Sequence, residues 1–305
     1  MNKSELVSTV IVTFNPQIER IRFQISRLLP QSNHVIIVDN NSRNIAELEQ
    51  IILVEFNADN VHIIKNKRNE GLGFAQNIGI KKAIELGADK VLLMDDDSTV
   101  ENNFIQELLR AEHELGEKGE KVGAIGPVYF NKETNEQYPI TKYIGPFIER
   151  KLPKKGHIKA SFLISSGTLI SVEVLREVGL MNEDLFIDYI DVDWSFRARK
   201  KGYNLFVTPN AKMNHVIGEK RLSIFGRKIS YHSPLRKYYL FRNSIYMIKN
   251  PNISVGYKIR EIIFNFVRFF VHLIYSDKKK TFVKYSIYGV LDGFKGKVGK
   301  CTYQF

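Results

Sequence analysis

Val91-Leu92-Leu93-Met94 runs directly into Asp95-Asp96-Asp97-Ser98. Four apolar residues in succession read as a strand buried on both faces, the pattern of a parallel sheet. The carboxylates stand at its C-terminal end, where open α/β sheets place their ligands. Neighbouring carboxylates repel one another unless a cation neutralises them. Mg²⁺ and Mn²⁺ prefer hard oxygen ligands, and Mg²⁺ commonly joins one or two carboxylates to substrate phosphates. Alternate residues of an extended chain point the same way, so Asp95 and Asp97 share a face while Asp96 points elsewhere. Taken alone, the run reads equally well as an acidic turn after a strand. The rest of the chain has to decide.

Upstream, Ser8–Thr13 is a β-branched strand ended by Phe14-Asn15-Pro16, and a helix is expected over Ile18–Leu29, stopped by Pro30. His34–Val38 is a second buried strand, closed by the turn and N-cap residues Asp39-Asn40-Asn41-Ser42. An amphipathic helix over Ile45–Phe56 leads to a third strand, Val61–Ile64. Asn69-Glu70-Gly71-Leu72-Gly73 then opens a helix that runs to Leu86-Gly87. These glycines suit close backbone approach to a ligand at a helix N-terminus. They do not make a dinucleotide fingerprint, because the third glycine is missing from its place. Strands alternating with helices imply right-handed βαβ units around a mainly parallel sheet. The turns Thr13–Asn15, Asp39–Ser42, Asn69–Gly73 and Asp95–Asp97 all follow strands and should line one sheet edge, a nucleotide-sized site.

Downstream, a helix around Phe104–Leu115 and a strand over Val122–Pro127 are expected. Residues 131–160, rich in Lys, Pro and Gly, read as a loop or hairpin lying over the site as a lid. Ser165–Ile170 returns to strand, and Val172–Val178 is a helix ended by Gly179. A second acidic cluster follows, Phe186-Ile187-Asp188-Tyr189-Ile190-Asp191-Val192-Asp193-Trp194, running into a helix that ends at Lys200-Lys201-Gly202. Asp193 and Arg197 are an i,i+4 pair. Asp191 sits near the helix start, where the dipole favours a carboxylate. Capping plus one ion pair would explain this cluster as well as catalysis does. His215, in Met213-Asn214-His215-Val216-Ile217-Gly218, becomes a candidate metal ligand only because a carboxylate pair elsewhere seeks one.

A chain of 305 residues that is 44% hydrophobic and 26% charged is globular in composition. Its one cysteine, Cys301, excludes an internal disulfide framework and a Cys-based zinc cluster and suits a reducing cytosol. The N-terminal apolar run is too short for a signal peptide, and no uncharged stretch is long enough for a spanning helix. The net charge of +12 belongs to the tail: Glu219–Phe305 carries 18 Lys and Arg against 4 Asp and Glu. That tail includes Tyr238-Tyr239-Leu240-Phe241-Arg242-Asn243, then the very apolar Arg260–Tyr275, then Lys278-Lys279-Lys280. Such a helix can lie in an anionic membrane interface, pack into the core, or form a dimer contact; the coincidence of charge and aromatics favours the membrane.

The segments Thr9–Asn15, Val38–Ser42, Asn69–Asn77, Met94–Ser98, Asp188–Arg197 and His215–Gly218 occur in the order seen in inverting GT-A glycosyltransferases of the family-2 type. Over roughly residues 7–220 the chain resembles bacterial rhamnosyltransferases most, through its opening Thr-Phe-Asn-Pro, the FIDYIDVDW stretch, the HVIG segment and YYLFRN. The resemblance implies a transferase domain over 1–220 and a helical tail over 221–305 for membrane contact or oligomerisation. It also implies a nucleotide-diphosphate sugar donor, dTDP-L-rhamnose ahead of UDP-galactofuranose or another UDP-hexose. Mg²⁺ or Mn²⁺ would sit on Asp95, Asp97 and His215, and Asp191 would be the general base. Thr13, Asn15, Asp39, Asn69, Gly71, Asp95 and Asp96 would hold the donor. The acceptor would be a glycan on a polyprenyl diphosphate at the cytoplasmic face of the membrane. Ile190 departs from the Glu-Asp pair of many members, leaving Asp188 as a substitute base.

Three other readings compete. A nucleotidyltransferase would carry a Gly- and Lys/Arg-rich loop after the first strand, which Thr13-Phe14-Asn15-Pro16 does not supply. A nucleic-acid-binding protein would use the basic tail but needs neither acidic cluster, so no nucleic-acid partner is expected. A non-catalytic assembly protein with a degenerate transferase domain is opposed by the retained Asp95, Asp97, Asp191 and His215.

Overall fold

The computed structural model describes residues 5–56, 59–131, 134–153, 155–214, 220–224, 227–231, 233–276 and 278–305, with 220–231 described as backbone only. The first half alternates strand and helix: β1 (Val7–Thr13), α1 (Ile18–Leu28), β2 (His34–Asp39), α2 (Ile45–Glu55), β3 (Val61–Lys65), α3 (Leu72–Glu85) and β4 (Lys90–Asp95). β1 pairs in parallel with β2 and β4, and β2 with β3. The register sets Thr13 opposite Asp39 and Val12 opposite Asp95, so the strands end together on one edge.

Because side chains alternate across a strand, each strand feeds two cores. Val10, Val38 and Leu93 pack beneath α3 with residues of the second half, whereas Ile11, Ile37, Leu92 and Met94 pack beneath α1 and α2. This double burial is what the unbroken apolar run in β4 encodes.

The second half adds β5 (Thr99–Val100), α4 (Phe104–Glu117), β6 (Val122–Phe130), β7 (Ile140–Ile144), β8 (Phe147–Lys151), β9 (Ile158–Ala160), β10 (Thr168–Ser171), α5 (Val172–Val178), α6 (Ile190–Lys200) and β11 (Asn204–Asn214). The sheet order is β3-β2-β1-β4-β10-β6-β11-β5, with β9 on β11. β10 lies antiparallel between β4 and β6, so the sheet is mixed in its second half.

The hairpin of β7 and β8 exists, but none of its residues lines the cavity described below. Its tip meets the C-terminal helices instead. Tyr143 stacks on Phe162 and sets its edge against Tyr257, and the Arg260 guanidinium lies 4.2 Å above the Tyr143 ring. A Cβ on Gly256 would come within 2.5 Å of the Gly145 backbone, so the two segments touch main chain to main chain. The lid expectation rested on loop length; an aromatic cluster around the buried Tyr257 holds the hairpin elsewhere.

The tail comprises the strands β12 (Lys220–Ile224) and β13 (Arg227–Tyr231) and three helices, α7 (Pro234–Lys249), α8 (Val255–Tyr275) and α9 (Lys279–Lys295). α8 is two-faced. Tyr257, Arg260, Glu261 and His272 are buried against the body, while Val255, Ile259, Ile263, Phe266, Phe270 and Ile274 recur at helical spacing and are each 47–70% exposed. No helix among the described residues is long and apolar enough to cross a membrane. The mixed sheet flanked by helices, with C-terminal helices added, is the architecture expected of a GT-A-type domain.

Candidate active site

A cavity of about 570 Å³ opens at the C-terminal edge of β1 and β4. Thr13, Asn69, Gly71, Asp95, Asp96, Asp97, Asp188 and Asp191 line it, together with Arg236 of α7. Both acidic clusters, more than ninety residues apart in sequence, therefore face one space. This volume suits a nucleotide-sized ligand.

The strand-end turns interlock. The Thr13 hydroxyl donates to Asp39 Oδ1 at 3.0 Å, and the Ser42 amide donates to Asp39 Oδ2 at 2.8 Å. Asn15 receives the Arg43 amide on its side chain and gives its own amide to Ser42 Oγ. Asp39 and Asn15 thus shape the turns and do not themselves line the cavity. Asn40 ties Asn69 and the Gly71 carbonyl to the same edge.

Gly71, at φ +94°, faces protein as well as the cavity: a Cβ there would lie 2.6 Å from the Phe186 carbonyl oxygen. That carbonyl accepts the Leu72 amide at 2.6 Å. The close backbone approach expected for a ligand is made by the loop that carries the second acidic cluster.

Electrostatics mark the site. Burial, then repulsion from Asp97, pushes the Asp95 carboxyl up to about 7, partly offset by Arg236. Asp96 is also pushed up to about 7, chiefly by burial, although the Phe14 amide opposes the shift. Burial pushes Asp191 up to about 7, opposed by the Val192 amide and reinforced by Asp188 and Asp95. Three carboxyls displaced in the same direction within one cleft make it a candidate functional site.

Asp193 and Arg197 form the expected pair at 2.9 Å, and Arg197 also donates to the Val178 and Leu180 carbonyls. Asp193 is therefore structural, whereas Asp191, two residues earlier, lines the cavity. Asp188 is paired with Arg236, which donates from Nη2 at 2.9 Å and from Nε at 3.1 Å. Arg236 was not picked out from sequence; nothing in a tail motif signals a contact with a loop 48 residues earlier. His215 lies outside the described residues.

Residues 8–179 match the family described as Glycosyl transferase family 2. Over 304 residues the chain is 34% identical to the dTDP-rhamnosyl transferase RfbF of Shigella flexneri, covering 97% of this chain and 98% of that protein. It is 25% identical to the low-salt glycan biosynthesis hexosyltransferase Agl10 of Haloferax volcanii, covering 96% and 92%. The fold is similar to the crystal structure of S. aureus TarS 1-349 in complex with UDP-GlcNAc, with a TM-score of 0.59, 15% identity, and coverage of 95% of this chain and 81% of that one. It is also similar to that of GalNAc-T7 with UDP, GalNAc and Mn²⁺, with a TM-score of 0.60 and 15% identity; 97% of this chain spans 57% of that one. With a matched domain over more than half its length and a near-full-length relative, the chain belongs to glycosyl transferase family 2 and is a glycosyltransferase.

Proposed function

We propose that the protein transfers L-rhamnose from dTDP-L-rhamnose, with inversion, to a hydroxyl of a glycan carried on a polyprenyl diphosphate during cell-surface polysaccharide assembly. The observation that carries this reading is the 34% identity, over nearly all of both chains, to a dTDP-rhamnosyl transferase. The facing carboxylate clusters support it chemically. Asp191 accepts the proton of the acceptor hydroxyl as its oxygen bonds to the anomeric carbon. The bond from that carbon to the diphosphate breaks on the opposite side, and dTDP leaves.

The donor set fits Mg²⁺ or Mn²⁺. Asp95 and Asp97 offer hard oxygens, and their mutual repulsion is what a cation would relieve. Diphosphate oxygens and water would complete the shell begun by Asp95 and Asp97, with His215 the further candidate ligand. The bound cation would neutralise charge on the leaving diphosphate. Thr13, Asn69, Gly71 and Asp96 lie where the nucleotide would rest, with Asn15 and Asp39 holding those turns in place.

Residues 221–305 belong, on this reading, to the catalytic unit as well as to the surface contact, since Arg236 lines the cavity. The exposed apolar face of α8, with Lys278, Lys279, Lys280 and Lys284 exposed beside it, fits an anionic membrane at its cytoplasmic side.

Calorimetric titration with dTDP-rhamnose, UDP-galactose and UDP-galactofuranose, with Mg²⁺ or Mn²⁺ and then with EDTA, tests the reading. Metal-dependent binding of dTDP-rhamnose alone is expected; preference for a UDP-sugar would replace the donor and leave the reaction class intact.

A further inference from the structure

We infer that Asn243 is a positioning residue for the reaction, holding residues 185–189 in the conformation that sets Asp188 and Asp191 at the cavity. The inference rests on the proposed role of Asp191 and concerns what places that carboxylate. Asn243 is wholly buried in α7. Its Nδ2 donates to the carbonyls of Leu185, Ile187 and Asp188 at 2.9, 2.8 and 3.0 Å. Its Oδ1 accepts Arg242 Nε at 2.9 Å, and Arg242 Nη2 donates to the Asp184 and Leu185 carbonyls at 3.1 and 2.8 Å. The amide has one workable orientation, since an oxygen in place of Nδ2 would face three carbonyl oxygens.

The loop needs such a clamp. Phe186, Asp188 and Tyr189 sit at φ 63°, 65° and 65°, in the left-handed region, and none is glycine. Conformations of this kind persist only where their surroundings over-determine them. Here the surroundings are the tail: Phe186 stacks on Tyr239 at 4.9 Å, Asp188 pairs with Arg236, and the Tyr189 hydroxyl meets Glu261 and Arg268 of α8. α6 begins immediately afterwards at Ile190, so the fixed carbonyls of Ile187 and Asp188 determine where Asp191 emerges. The Arg-Asn of YYLFRN is thus a hydrogen-bonding grip on the loop that carries the carboxylates.

The test compares Asn243→Ala and the isosteric Asn243→Asp with Ser244→Ala. Ser244 is the next residue of α7, equally buried, and its hydroxyl bonds Phe241 and Asn265 rather than the loop. Turnover is read as dTDP release from dTDP-rhamnose, or from whichever donor of the panel the wild type uses. Nucleotide affinity is read by calorimetry with metal, and folding by thermal melting. Misplacement of the base should lower kcat by about 100-fold in both Asn243 variants, with nucleotide affinity unchanged. Ser244→Ala should keep wild-type kcat whatever its melting temperature. Near-normal kcat in the Asn243 variants, or an equal loss in Ser244→Ala, overturns the inference. If neither Asn243 variant folds, Arg242→Lys, which gives up the bond to the Asn243 oxygen, is read by the same criteria. Full turnover in Asp191→Asn would instead remove the reading beneath it. A dead Asp191→Asn beside an active Asn243→Asp removes the inference alone.

Discussion

Arg236 and Asp188 meet at 2.9 Å in the cavity, one from the first turn of α7 and the other from the loop before α6. The Ser233 side chain caps α7 by accepting the Arg236 amide, so the guanidinium springs from a fixed helix start. Two guanidinium nitrogens hold the Asp188 carboxylate in a bidentate pair. Among the described residues Asp191 has no such guanidinium pair, and this difference in partners is the ground on which Asp191 is proposed as the base.

Asp191→Asn should lower turnover by about 10²- to 10⁴-fold, the usual contribution of a general base, while nucleotide affinity stays unchanged. Steady-state rates and calorimetry on the same preparation check this. Near-normal turnover would transfer the role to Asp188.

The pH profile should carry an acidic limb. Asp191 works as a base only when deprotonated, and burial has pushed its carboxyl up to about 7. Turnover should therefore rise as pH increases through about 7 and level off above it. A profile already flat from pH 5 upward would show a base with an ordinary carboxylate pKa.

Stability without metal should run the opposite way. Asp95, Asp96 and Asp191 titrate near 7 when folded and near the ordinary carboxylate range when unfolded. The folded state then holds more protons between those limits, so this contribution is present at low pH and lost as pH rises through about 7. The melting temperature in EDTA should fall from pH 5 to pH 8, and Mn²⁺ with dTDP should restore it at pH 8. An unchanged melting curve across that range would contradict the crowding of uncompensated carboxyls.

Asp97→Ala should weaken nucleotide binding in Mn²⁺ but not in EDTA. Equal affinity for dTDP in Mn²⁺ before and after the substitution would remove Asp97 from the ligand set.

Membrane contact is best tested on the outer face of α8 by Phe266→Ser with Phe270→Ser, residues 65% and 56% exposed. Truncating the helix would confound the result, because its inner face supplies Glu261 and Arg268 to Tyr189. Co-sedimentation with phosphatidylglycerol vesicles should be lost in the double variant while turnover of the soluble donor persists. Undiminished binding would assign the surface to another partner.

What was legible in the sequence is what local chemistry encodes. The buried run Val91–Met94, the β-branched Ser8–Thr13 and the polar turns at strand ends follow from period and propensity, and they place Asp95 and Thr13 on one edge. The Asp193–Arg197 pair follows from helical spacing, and setting it aside leaves Asp188 and Asp191. The antiparallel insertion of β10, the docking of the 140–151 hairpin on α8 and the contact of Gly71 with Phe186 carry no such period. They depend on which surfaces meet once the sheet has formed. Arg236 and Asn243 show the same limit: a guanidinium and an amide on one helix gain their roles only from carbonyls and a carboxylate about 50 residues away, brought within hydrogen-bond reach by tertiary packing.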